Sequence, residues 1–185
     1  MVLEPDVELT AFVRQHLPLP RQSGIKVRDT DGRSGIAALR DDYADVVVVD
    51  AFAGAQVPAE LTTVEFLADV RRVLSQSGFL LFNITDRGPF VYARRVLAGV
   101  RATFAHAAFC TEPATIKGRR FGNVVLAASA RPLPLEEIAR RAGSAPYPYR
   151  VLHGPRLDQL QAGAEPFTEV DSAPSPAPPV DLIFG

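Results

Sequence analysis

Asp45-Val46-Val47-Val48-Val49-Asp50 decides the fold class of this chain. The four valines do not alternate with polar residues. Such a run predicts a strand buried on both faces, as in the middle of a parallel sheet. Upstream, Val2-Leu3 reads as the end of a strand with Glu4 at its tip. Asp6 then caps a helix over residues 7–17, with Leu9, Phe12, Val13 and Leu17 on one face. Pro18 and Pro20 stop that helix. Residues 25–27 read as a short strand, Asp31-Gly32 as a turn and residues 35–39 as a short helix.

Downstream, residues 51–58 form a loop of small side chains. Residues 61–74 carry the spacing of an amphipathic helix, with Val64, Leu67, Val70, Val73 and Leu74 inward. Ser77-Gly78 closes it, and residues 79–84 form the next strand. A helix over 90–104 follows. Residues 107–110 and 123–128 then make two strands of an antiparallel hairpin, separated by the basic turn Lys117-Gly118-Arg119-Arg120. Strands and helices alternate, which predicts an α/β sheet with right-handed crossovers. The expected organisation is an α/β sheet domain over 1–130 and a peripheral helical extension over 131–171. A Pro-rich flexible tail over 172–185 completes it.

Composition narrows the function. The chain has 185 residues, 47% hydrophobic and 22% charged, with a net charge of −1. That balance gives no general attraction to nucleic acid or to an anionic membrane. No apolar run approaches the roughly 18 residues of a membrane span. The single cysteine, Cys110, excludes an intrachain disulfide, and the N-terminus lacks the pattern of a signal peptide. The cytoplasm is the expected location. His16, His106 and His153 are scattered without metal-ligand spacing, so no metal is expected. Cys110 reads as core. Neither a Gly-x-Gly-x-x-Gly nor a P-loop pattern is present.

Ligands of open parallel sheets bind at the carboxyl ends of the strands. Glu4, Asp31 and Asp50 each fall at or just beyond such an end. Glu4 offers two acceptor oxygens, which suits the paired hydroxyls of a ribose; the plainer reading is an exposed acid near the N-terminus. Asp31 suits the exocyclic amine of adenine; the plainer reading is an Asp-Gly turn, and Asp29 competes for the role. Asp50 follows the valine strand and precedes a loop of little bulk, where a buried carboxylate can orient or deprotonate an amine. Its plainer reading is a helix cap or loop anchor.

Three stretches, residues 2–9, 25–39 and 43–50, resemble the spermidine synthase (aminopropyltransferase) family in order and spacing. Residues 61–67 followed by 74–79 look like the segment after that family's catalytic loop, and residues 122–127 are similar to its last strand. The resemblance runs from about Val2 to Ser129 and is nearest to the spermidine synthase-like proteins of high-GC bacteria. It implies a Rossmann-like, class I methyltransferase sheet, mostly parallel, with a C-terminal antiparallel hairpin. It also implies that the family's N-terminal β-domain, first strand and glycine-rich loop lie outside this chain, leaving one edge of the valine strand open or paired with something else.

By the same resemblance Glu4 matches the ribose acid, Asp31 the adenine acid, and Asp50 the first aspartate of an Asp-x-x-Asp loop that handles the attacking amine. The implied co-substrate is decarboxylated S-adenosylmethionine, or S-adenosylmethionine for a methyl-transferring relative, and the partner a small-molecule amine such as putrescine. Ala53 stands where the second aspartate would be. An S-adenosylmethionine-dependent methyltransferase and a non-catalytic nucleoside-binding module are the competing readings, and the open sheet edge points to a homo-oligomer.

Overall fold

The computed structural model describes residues 1–20 and 22–179. The chain divides after Leu39 into two units, residues 1–39 and 40–185.

In the first unit, β1 (Val2–Leu3) and β2 (Val27–Arg28) pair in parallel, with Val2 opposite Val27. Parallel strands need a crossover, and α1 (Val7–His16) supplies it. The Asp6 carboxylate caps α1 by accepting from the Leu9 N–H at 2.8 Å. The apolar face expected to turn inward does not: α1 buries none of its residues, and Phe12 is 60% exposed. Helical spacing identifies a face, not what covers it. Next comes α2 (Gly32–Ala37), seated close under β1. A Cβ at Gly35 would lie 2.6 Å from the Leu3 Cδ1, so only glycine permits that approach without a shift.

The second unit holds five strands in the order β3, β4, β6, β5, β7. They are β3 (Ala44–Val49), β4 (Leu74–Asp86), β5 (His106–Thr111), β6 (Gly122–Ser129) and β7 (Arg150–Leu152). β3 pairs in parallel with β4, while the β4–β6, β5–β6 and β5–β7 pairs are antiparallel. The expected β5–β6 hairpin is therefore present, with Phe109 opposite Leu126 and the short helix α5 (Pro113–Ile116) in its connection. Residues 131–171, expected to be helical only, also contribute β7 between α6 (Leu135–Ser144) and α7 (Pro155–Gln161).

The valine run does not sit in the middle of this sheet. β3 is an edge strand, and its side chains alternate after all: Val47 and Val49 are buried, while Val46 and Val48 are 44% and 62% exposed. Hydrophobicity along the run measures what the strand can bury, and here only one face is covered. The open edge that the family resemblance implied is present among the described residues.

α3 (Val64–Val73) and α4 (Val91–Thr103) pack on each other and on β4. Phe66, Leu67, Val70 and Val73 of α3 meet Leu80, Phe82 and Ile84 of β4 in the core. Ser77-Gly78, expected to end the helix, lies inside β4 instead. Leu74 already has extended backbone, so the helix stops at Val73. The register against β3 slips there, pairing Ala44 with Leu74 and Val46 with Phe79.

Residues 172–179 are not a loose tail. Ser175 is fully buried, its N–H donates to the Val57 carbonyl at 3.1 Å, and its Oγ accepts from the Val57 N–H at 2.9 Å. Proline-rich composition signals a lack of helix and sheet, not a lack of order. Residues 180–185 of the expected tail lie outside the described residues.

Candidate functional site

Glu4 and Asp31 share one rim in the first unit. Glu4 directly follows β1, and its N–H donates to the Arg28 carbonyl at 3.0 Å, continuing the parallel ladder. The Glu4 Oε1 accepts from the Asp6 N–H at 2.8 Å. Asp31 lies just past β2 and caps α2, its Oδ1 accepting from the Ser34 N–H at 2.8 Å. Bonds from the Ser34 backbone and hydroxyl hold the Asp31 carboxyl below its usual range. One oxygen of each acid is thus committed locally. A carboxylate has about four lone-pair sites, so each keeps capacity for a ligand. Asp29, the competitor, is exposed one residue past β2, and Asp31 is the acid that opens a helix.

Asp50 stands at the rim of the second unit, immediately after β3. Against expectation its carboxylate is exposed; what fixes it is a partner. The Asn83 Nδ2 donates to the Asp50 Oδ1 at 2.8 Å from the adjacent strand β4. Val49 pairs with Phe82, so Asp50 and Asn83 follow in register on the same face of the sheet. The Asn83 Oδ1 is buried and has no hydrogen-bond partner among the described residues. Carboxylate and amide oxygen together make an acceptor pair suited to an amine.

The loop behind Asp50 is tightly formed. Ala53 and Gln56 bond reciprocally, N–H to carbonyl at 2.8 and 3.1 Å. Gly54 and Ala55 between them have φ of 57° and 63°, the two positive φ values of a type I′ turn. Ala53, in the place of a second aspartate, is the first corner of that turn.

At the end of β4, Asp86 is 4% exposed. It closes the strand and opens α4: its Oδ1 accepts from the Arg87 N–H at 2.7 Å and its Oδ2 from the Ala93 N–H at 2.9 Å. Burial pushes the Asp86 carboxyl above its usual range, against the pull of those amides. A cleft of about 520 Å³ lies beside it, walled by Tyr92, Arg95, Phe121, Phe167 and Pro174. Asp50 does not line this cleft. Cys110 is buried and its thiol is pushed up to about 11, so it stays protonated as core.

A raised carboxyl makes the folded state the better proton binder. Asp86 therefore contributes stability below the unfolded value near 4, and that contribution is lost as pH rises through its folded value. An Asp86→Asn variant does not titrate and still accepts from one helix amide. Its urea midpoint is expected to gain on that of the unmutated chain between pH 4 and pH 7. A constant difference between the two midpoints would refute this.

Sequence reasoning missed Asn83, Asp86 and Ser175. The signal for Asn83 was present: a lone amide late in an apolar strand sits at the ligand-bearing end. Among the described residues there is no group of three or more His, Cys, Asp and Glu that could hold a metal ion. No helix of those residues is long and apolar enough to cross a membrane.

No family model matches the chain. It is 32% identical over 82 residues to a probable polyamine aminopropyl transferase of Bifidobacterium longum, covering 44% of this chain and 18% of that protein. A probable spermidine synthase from Corynebacterium glutamicum superposes with a TM-score of 0.84 at 29% identity, over 91% of this chain and 62% of its own. Human methyltransferase-like protein 13, in complex with SAH, shares the fold at a TM-score of 0.56 and 20% identity, over 90% of this chain and 72% of its own. The chain thus spans less than two thirds of the length of the first two. It is spermidine synthase-like, with a class I methyltransferase-like fold.

Proposed function

We propose that this chain serves aminopropyl transfer from decarboxylated S-adenosylmethionine to a polyamine acceptor such as putrescine. Glu4 holds the ribose hydroxyls, Asp31 the adenine amine and Asp50 the attacking amine. The observation that carries this reading is Asp50, fixed by Asn83 at the carboxyl end of a parallel strand, with an unused amide oxygen beside it.

The chemistry needs little from the protein. The nitrogen lone pair of the amine attacks the methylene carbon bonded to the sulfonium. The carbon–sulfur bond breaks, its electron pair returns to sulfur, and neutral methylthioadenosine leaves. The nitrogen sheds a proton, and the Asp50 carboxylate is the base that receives it. A positively charged sulfur already leaves readily, so alignment of the amine dominates the gain. Residues 51–57 hold no other acid, so this loop offers the acceptor a single countercharge.

A methyl transfer from S-adenosylmethionine is the second reading, favoured by the fold shared with a protein solved in complex with SAH. Calorimetry with methylthioadenosine, S-adenosylmethionine and its decarboxylated form separates the two. The expected result is binding of methylthioadenosine and the decarboxylated form, with spermidine made from putrescine. A preference for S-adenosylmethionine would move the assignment to methyl transfer, and no binding of any of the three would leave a non-catalytic module.

A further inference from the structure

The segment after α7 travels a long way. The carbonyl of Phe167 accepts from the Val64 N–H at the start of α3 at 2.9 Å. The Arg95 guanidinium of α4 lies 4.0 Å over the Phe167 ring, bonds the carbonyls of Glu165 and Pro166 at 3.0 Å, and pairs with Asp171. Asp171 in turn accepts from the N–H and hydroxyl of Thr168, both at 2.9 Å. This root fastens the segment to the helices. Four residues beyond Asp171, Ser175 reaches the loop behind Asp50.

Ser175 is bound there on every side. Its backbone N–H and its Oγ take the carbonyl and N–H of Val57, and its carbonyl accepts from the Gln56 side chain. Its Oγ also lies 3.2 Å from the Thr85 Oγ1 on β4. Thr85 is two residues from Asn83, so both side chains stand on the same face of β4. The loop 51–57 is therefore tied to β4 at both ends: at its start through Asp50 and Asn83, at its close through Val57, Ser175 and Thr85. Without the Ser175 hydroxyl the buried Val57 N–H loses its partner, and the tie of the loop to Thr85 goes with it.

We propose that Ser175 is a positioning residue, a clip from the C-terminal segment that sets the loop carrying Asp50 and so holds the Asp50–Asn83 pair in place for the acceptor amine. Its functional part rests on the role given to Asp50 above. The clip is a hydroxyl with two backbone groups, so threonine should preserve it and alanine should not.

Hydrogen exchange by NMR on the full chain tests this without needing turnover. In Ser175→Ala the Val57 amide and the Asn83 side-chain amide are expected to exchange about tenfold faster or more, while the core amides of Leu80 and Leu126 stay as protected as before. Ser175→Thr is expected to keep the original pattern. Faster exchange at Val57 with an unchanged Asn83 side chain would overturn the proposal, since Ser175 would then fasten only its own segment. No change at either site would overturn it as well. If Ser175→Ala does not fold, Thr85→Val removes the other hydroxyl of the clip and is judged by the same two signals. Where the unmutated chain turns over putrescine, Ser175→Ala should lose about tenfold in kcat, and Ser175→Thr should restore it. An unmutated chain that fails to turn over counts against aminopropyl transfer and leaves the exchange result to decide the clip.

Discussion

Asp50→Asn is expected to lower kcat for spermidine formation by about 10²- to 10⁴-fold, the usual contribution of a positioned acid or base, while leaving the fold intact. The second half of that statement follows from the geometry. The Asn83 Nδ2 donates to one oxygen of Asp50, and an asparagine side-chain oxygen accepts the same bond. Asp50 is exposed, so no buried charge is created or removed. The urea midpoint should stay within the ±0.5 kcal/mol typical of surface changes. What disappears, on the proposed reading, is the negative charge that attracts an ammonium and the basicity that receives its proton. Steady-state rates with putrescine, alongside a urea melt, check both halves. A rate within threefold of the original would remove Asp50 from the chemistry, and a large loss of stability would make it a structural anchor instead.

Phe82→Ala should have the largest effect on stability. Phe82 is fully buried at the middle of β4, opposite Leu126 of β6 and beside Val49 of β3. Three strands and the α3–α4 layer meet around this row, so the surroundings have little freedom to close on the void. Truncation of a buried phenylalanine costs about 3–5 kcal/mol, against a total of about 5–15 kcal/mol for a domain. The corresponding fall in Tm is roughly 6–20 °C for a chain of this size. Val48→Thr, by contrast, changes a side chain that is 62% exposed and should move the melt by no more than about 0.5 kcal/mol. Comparable effects of the two substitutions would contradict the open face of β3 on which Val48 lies.

Much of the fold was legible because local signals agreed with it. Asp6 opening α1, the helical spacing of Leu67, Val70 and Val73, and the two apolar runs of the β5–β6 hairpin all appear where periodicity puts them. Errors arose where a pattern states a capacity and the surroundings decide its use. The valine run can be buried twice and is buried once; α1 has an apolar face and buries none of it. Ser77-Gly78 reads as a helix stop, yet the chain had left the helix at Leu74.

The positions of the candidate acids were legible to the same degree. Strand ends can be read from sequence, so Glu4, Asp31 and Asp50 could be placed on sheet rims. Their fixing partners could not. Asn83 meets Asp50 across 33 positions and Ser175 meets Val57 across 118, and no local pattern encodes a meeting at that range.

That separation of 118 positions orders events in time. Closing so wide a loop costs entropy that only an already assembled sheet can offset. During synthesis, the strands and helices of the second unit can be complete while the turn at Gly54 and Ala55 still lacks its fastening. A nascent chain halted ahead of Ser175 would hold the strands and helices of the scaffold and an unset loop behind Asp50, and the loop would take its final form only once Ser175 had been made.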